Sequence, residues 1–212
     1  MSKILRFVVW TLIIGGALAG LLRLTVLRWW QVPLGDPYLE ASLAPTLRGG
    51  DWILLWRGTA PIEGALVLCP DPKAAQRQVI GRIVGESSDH VQIVGDGVIV
   101  NRRPFENEGD CDAFSVRDPG TGQTVEQSCR REVVGSRTHL RGGGRGELTP
   151  PSNSELDVPG GQVFLLSDNR QFPWDSREFG TVARETCTET IVFRVISKDG
   201  FFDVANRFML IR

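Results

Sequence analysis

The sequence predicts a mainly β domain carried behind one N-terminal membrane-spanning helix, and three observations predict it. An uncharged apolar run fills positions 7–22, strand-length apolar runs recur from Trp52 to Ile196, and glycine, proline and aspartate punctuate the gaps. With 212 residues the chain accommodates one domain with a sizeable insertion. Lys and Arg total 24 against 25 Asp and Glu, so no global basic field directs it to nucleic acid. A composition of 42% hydrophobic and 23% charged residues excludes the disordered and collagenous classes.

Lys3 and Arg6 precede the run from Phe7 to Leu22, which Arg23 and Arg28 close. At ~1.5 Å per residue the run falls a little short of a ~30 Å hydrocarbon core. Arg6 and Arg23 can snorkel, and Trp29-Trp30 can sit at the interface. Residues 1–30 are therefore read as an uncleaved anchor in a lipid bilayer. The alternative is a cleaved secretory signal, because a basic stretch, an apolar stretch and the small-x-small run Ala17-Leu18-Ala19 follow in that order. Either way the rest of the chain is exported, and positive charge on both flanks determines orientation only weakly.

Beyond Gln31 the pattern is β. Trp52 to Trp56, Ala65 to Leu68, Val79-Ile80 with Ile83-Val84, Val91 to Val94, Val98 to Val100, Val163 to Leu166 and Ile191 to Ile196 have strand length and composition. Gly95-Asp96-Gly97 between two alternating runs predicts a hairpin. Residues 31–104 and 158–198 are read as two halves of one β core, 105–157 as a smaller inserted domain, and 199–212 as a tail that packs under the core or touches a membrane surface. The insertion is polar and holds Cys111 and Cys129, whose bridging would stabilise by on the order of 3 kcal/mol in the entropic model. Its run Arg141-Gly142-Gly143-Gly144-Arg145-Gly146 is read as a flexible loop, with an RNA-binding tract as the weaker alternative. Cys69 and Cys187 read as strand residues, and no metal-type cysteine spacing is present.

Chemistry concentrates in three segments. Ser42 lies in a short irregular stretch before Pro45, a strand runs into a turn from Gly81 to Val91, and two aspartates and two arginines crowd the turn Ser167 to Gly180. By composition alone these are turn material and a self-satisfied charge cluster. Taken in order, they carry a resemblance. Ser42-Leu43-Ala44-Pro45-Thr46-Leu47 resembles the Ser-Met-x-Pro-Thr-Leu box of the type I signal peptidases. Arg82-Ile83-Val84-Gly85 with Asp89 is similar to that family's middle box, and Asp168-Asn169-Arg170 with Asp175-Ser176-Arg177-x-Phe179-Gly180 closely resembles its last box. Glu132, Gly135, His139 and Val158-Pro159-x-Gly161 also fit the family's spacing.

The resemblance implies a signal-peptidase-like β fold anchored in the cytoplasmic membrane, with the β domain on the extracytoplasmic side. It implies a serine endopeptidase that removes signal peptides from exported preproteins, with Ser42 as nucleophile, a Ser-Lys dyad and neither metal nor cofactor. Arg82, Asp168, Arg170, Asp175, Ser176 and Arg177 become its supporting residues.

The pattern is incomplete. A serine hydroxyl needs a base, and a lysine serves only where burial lowers its pKa. The family's lysine position is Gly81 here, and arginine at Arg77 stays protonated and cannot substitute. Lys73 reads as a loop lysine, Lys3 and Lys198 are remote in sequence from every box, and His90 follows the middle-box turn instead of preceding it. Pro173 replaces the serine expected to orient the lysine, Glu40 stands where a hydroxyl often serves the oxyanion, and only the Ser42 N–H remains as an oxyanion donor. Glu86-Ser87-Ser88 replaces Leu-Pro-Gly, and Ala65 replaces an aspartate. Two functions compete: a signal peptidase with a base recruited from elsewhere, and an inactive homologue that binds signal sequences or a peptidase partner. A groove that takes an extended peptide by strand addition needs no lysine.

Overall fold

The computed structural model describes residues 2–144 and 154–211. Helix α1 (Lys3–Thr25) is capped by Ser2, whose hydroxyl accepts from Leu5 N, and its apolar side chains are exposed. It is long and apolar enough to cross a membrane. Through Val26 the chain enters β1 (Leu27–Gln31) and then α2 (Pro37–Leu43), β2 (Trp52–Trp56), β3 (Leu66–Asp71) and β4 (Ala74–Gly85). The hairpin β5 (His90–Val94) and β6 (Gly97–Val100) follows, with Gly95 at φ 64° in its turn, then β7 (Arg103–Pro104). Next come β8 (Glu106–Arg117), β9 (Thr124–Val134), β10 (Arg137–Gly144), β11 (Ser154–Asp157) and β12 (Gln162–Leu166). The chain ends with α3 (Ser176–Phe179), β13 (Val182–Ala183), a 3-10 turn Arg184–Thr186, β14 (Glu189–Ile196) and β15 (Met209–Leu210). The mainly β class and the apolar N-terminal helix are as the sequence predicts.

The main sheet runs β1-β2-β14-β3-β4-β12-β13, with β15 added to β14, and its pairs are antiparallel. Its centre is buried on both faces. Leu66, Leu68 and Ile80 join Ile53, Leu55 and Ile191 in a cluster that α2 covers with Leu39 and Leu43. The intervening residues Ala65, Val67, Cys69, Val79 and Ile83 pack on the other face with Leu165 and Phe179. Burial on both faces explains the unbroken apolar run from Ala65 to Leu68, since alternation marks strands with one wet face.

Two smaller sheets flank this one. The order β11-β5-β6-β7 encloses Val91, Ile93, Val98 and Phe164, and the order β10-β9-β8 packs Phe114, Val116 and Val125 against Ala41 and Ala44 of the α2 segment.

Several expectations are corrected. Ser42 is not in irregular chain but in the last turn of α2, which forms because Asp36 accepts from Tyr38 N and Leu39 N and Pro37 fits the first helical position. Arg141 to Gly144 are not a loop but the end of β10, and the remaining members of that run, Arg145 and Gly146, lie outside the described residues. Gly142 is required there, since a Cβ would lie 2.7 Å from Phe114 Cζ. Cys187 follows the 3-10 turn and is bonded to Cys69, so both cysteines join in one cross-link within the second core cluster. The tail packs on the core only in part: β15 pairs with β14 and Ile211 joins the first core cluster, while Phe201, Phe202, Val204, Phe208 and Leu210 are exposed.

Candidate active site

Arg82 and Asp168 form the centre of the site. Arg82 belongs to β4, is fully buried, and grips Asp168 with two hydrogen bonds of 2.9 Å while donating a third, 2.6 Å, to Gly64 O. Thr46 donates its hydroxyl to the same carboxylate at 2.6 Å. Burial alone would raise the Asp168 pKa, but the Arg82 charge and these bonds hold it at about 2.

Arg170 spans to Glu132 of β9 and to Ser167 O. Asp175 caps α3 by accepting from Arg177 N, takes Ser167 N at 2.8 Å, and forms a fork with Arg177 Nε and Nη2 at 2.9 and 2.7 Å. Ser176 accepts from Leu165 N, tying α3 to β12. Of the four charged residues of the last turn only Asp175 and Arg177 thus pair with each other; Asp168 and Arg170 find their ionic partners outside it, in Arg82 and Glu132, so the turn is not the self-satisfied cluster its composition suggests. Thr46, Glu132, His139 and Arg141 complete the frame. His139 Nε2 lies 3.4 Å from Glu132 and 3.7 Å from Asp168, and both ring nitrogens lack a hydrogen bond among the described residues. Burial first, then the Arg82 charge, drives its pKa well below the ordinary value, so the ring is neutral. Arg141 reaches across to Asp96 at 2.8 Å.

Ser42 touches this frame through its backbone, its carbonyl accepting from Asn169 N at 3.0 Å. Its side chain is fully buried, and the hydroxyl donates to Leu39 O at 2.9 Å. That is its one side-chain hydrogen bond among the described residues. Helical geometry also turns the Ser42 N–H into the helix's own ladder, where it does not serve an oxyanion.

Gly81 is the neighbour of Arg82 but not of Ser42's helix. A Cβ there would lie 2.9 Å from Leu165 Cβ and 3.6 Å from Leu166 N and O. Its face of β4 is that of Val79 and Ile83, which pack with Leu165; Ile80, on the other face, packs with Leu39 and Leu43 of α2.

Lys73, Lys198 and His90 have partners of their own. Lys73 Nζ donates to Glu178 O at 2.7 Å in an exposed hairpin, and Lys198 Nζ stands 3.6 Å from Glu40. Lys198 is thus remote in sequence from the first box but adjacent to it in space. His90 pairs through its two ring nitrogens with Asp157 at 2.7 Å and Glu155 at 2.9 Å, and the Asp157 bond raises its pKa. Cys111 and Cys129 are joined across β8 and β9. No group of three or more His, Cys, Asp or Glu that could hold a metal occurs among the described residues.

A fully buried Arg–Asp pair beside a serine, behind an apolar N-terminal helix, meets its class in the comparison with known families. Residues 4–196 match the family model "Signal peptidase, peptidase S26", so the chain belongs to this family of membrane-anchored serine proteases. Signal peptidase I U of Bacillus subtilis (strain 168) is 25% identical over 161 residues, covering 72% of this chain and 71% of that protein. The solved structure of a signal peptidase I from Enterococcus faecalis V583 overlaps at a TM-score of 0.41 and 17% identity, over 63% of this chain and 97% of that one.

Proposed function

We propose that this chain is a signal-sequence-binding member of the signal peptidase family that does not hydrolyse its ligand, standing in the cytoplasmic membrane with its β domain on the extracytoplasmic side. The observation that carries this reading is Ser42: fully buried, its proton given to Leu39 O, and with Leu165 filling the space in front of Gly81. Losing a general base costs on the order of 10² to 10⁴ in rate.

Binding has support of its own. Strand β12 pairs with β4 only over Arg82, Ile83 and Gly85, so residues 74–81 of β4 have, among the described residues, no strand neighbour on that edge, beside α2. An extended peptide can add there by backbone hydrogen bonds.

The retained Arg82–Asp168–Thr46 frame favours a second reading, an active peptidase whose base comes from a partner or from substrate and water. One experiment separates the two. The full chain in detergent is incubated with a model precursor bearing an Ala-x-Ala site, beside Ser42→Ala, and both cleavage and retention of the precursor are measured. Retention without cleavage, equal in both proteins, is the expected result; cleavage abolished by Ser42→Ala would overturn it.

A further inference from the structure

A cleft of about 930 Å³ lies on the side of α2 away from β4. One wall is the Ser42 segment, through Pro37, Ala44, Pro45 and Arg48; the other is the unbroken run 113–118 of β8 and its turn. Side chains alternate between the two faces of a strand, so consecutive residues line one cleft only where it runs along the strand's edge. Phe114 and Val116 do point to Ala44, while Ala113, Ser115 and Arg117 are exposed.

That edge is open. Strand β8 is last in the order β10-β9-β8, and among the described residues its backbone makes no backbone hydrogen bond outside the β9 ladder. An exposed strand edge is a template for another strand. Five residues of it extend ~17 Å, and the cleft volume lies at the upper end for ligand sites.

Charge specifies the occupant further. Arg48 pairs with Asp199 at 3.3 Å and Lys198 stands by Glu40, while Asp118 accepts from Gly120 N and Thr121 N of its own turn. Arg117 is the cation in the cleft whose hydrogen bond goes to a carbonyl, Gly122 O at 3.0 Å, instead of to a carboxylate.

We propose that this cleft is a second peptide site, in which an extended polypeptide segment adds to the free edge of β8 and places a carboxylate on Arg117. It goes beyond the signal-sequence reading, since it uses neither Ser42 nor the β4 edge.

The test uses the full chain in detergent and a fluorescent nine-residue peptide of alternating threonine and valine with a central aspartate. Two further peptides are N-methylated at alternate amides, in opposite phases. Only one phase of a strand's amides faces its partner, so one methylated peptide is expected to lose on the order of 10-fold or more in affinity and the other to match the parent. Arg117→Glu, an exposed change, is expected to weaken the parent peptide on the order of 10-fold, and a central lysine in the peptide to recover it. Saturable binding absent up to ~1 mM, equal binding of both methylated peptides, or binding indifferent to Arg117→Glu would each overturn the site.

Discussion

The guanidinium of Arg82 and the carboxylate of Asp168 are each at most 1% exposed, so neutralising one takes an ionic partner from a charge held in the core. Breaking such a pair costs about 3–5 kcal/mol, and Asp168→Asn is expected to lower the urea midpoint accordingly. The pH dependence follows from the same contact. The pKa of Asp168 is about 2 in the fold against about 3.9 for a free aspartate. Its contribution is therefore complete above pH ~4 and is lost as pH falls toward ~2. Between these limits the stability of Asp168→Asn should fall less steeply with acid than that of the parent; parallel curves would show that Arg82 does not hold Asp168 ionised. Gly81 yields a second expectation at this scale. Since a Cβ there meets Leu165 Cβ at 2.9 Å, Gly81→Lys is expected to cost about 1–3 kcal/mol by overpacking. It is also expected to leave a model precursor uncleaved, because its side chain enters the face of β4 opposite α2. Cleavage by Gly81→Lys would show that β4 turns over to meet Ser42.

At the scale of elements, β10 joins the three-stranded sheet β10-β9-β8 to the last-box turn. Gly142 N donates to Asp168 O and Gly142 O accepts from Arg170 N, which brings Gly142 close enough to Phe114 that a side chain has no room. Gly142→Ala is expected to cost about 1–3 kcal/mol in a denaturant melt, and Phe114→Leu, which removes the ring end, to recover most of it. A fully stable Gly142→Ala would mean that the two elements part readily. This junction also shows where sequence legibility ends. Strands β3 and β12 are readable because both their faces are buried and their apolar runs are continuous. In β8 only Val116 is buried, so no period marks it, and β10 ends in glycines that composition alone reads as loop. The motif identifies Arg82 and Asp168. The first box includes Thr46 and the family's spacing takes in His139, but the bond of Thr46 to a carboxylate 122 residues away and the enclosure of His139 by charges from several segments come from tertiary packing that no local pattern encodes. Helix α2 is too short for a period of its own and is recognisable only by its Asp-Pro start.

On the scale of the whole molecule, the main sheet turns one end-face away from its own core. Across β1, β2, β14 and β15 the register sets Trp29, Leu54, Phe193 and Leu210 in a row. Residues opposite one another in neighbouring strands share a face, while Ile53 and Leu55 point inward to the first core cluster. Trp29 is 44% and Leu210 58% exposed, Trp52 is exposed on the same strand face as Leu54, and the tail adds Phe201, Phe202 and Phe208. An apolar surface of this extent is unusual for a domain surrounded by water, and tryptophan favours the lipid–water boundary. The helix α1 feeds β1 through the single residue Val26, so this face begins where a membrane span ends. The face is therefore expected to lie against the bilayer, which can be read in nanodiscs whose lipids carry brominated chains. Quenching from Trp10, inside α1, is expected in any case; the informative comparison is Trp29→Phe or Trp52→Phe, each of which should remove a quenched component. Trp30 packs against the core, so Trp30→Phe should remove none. If Trp10→Phe alone abolishes all quenching, the sheet stands clear of the lipid and its apolar row requires a protein partner instead.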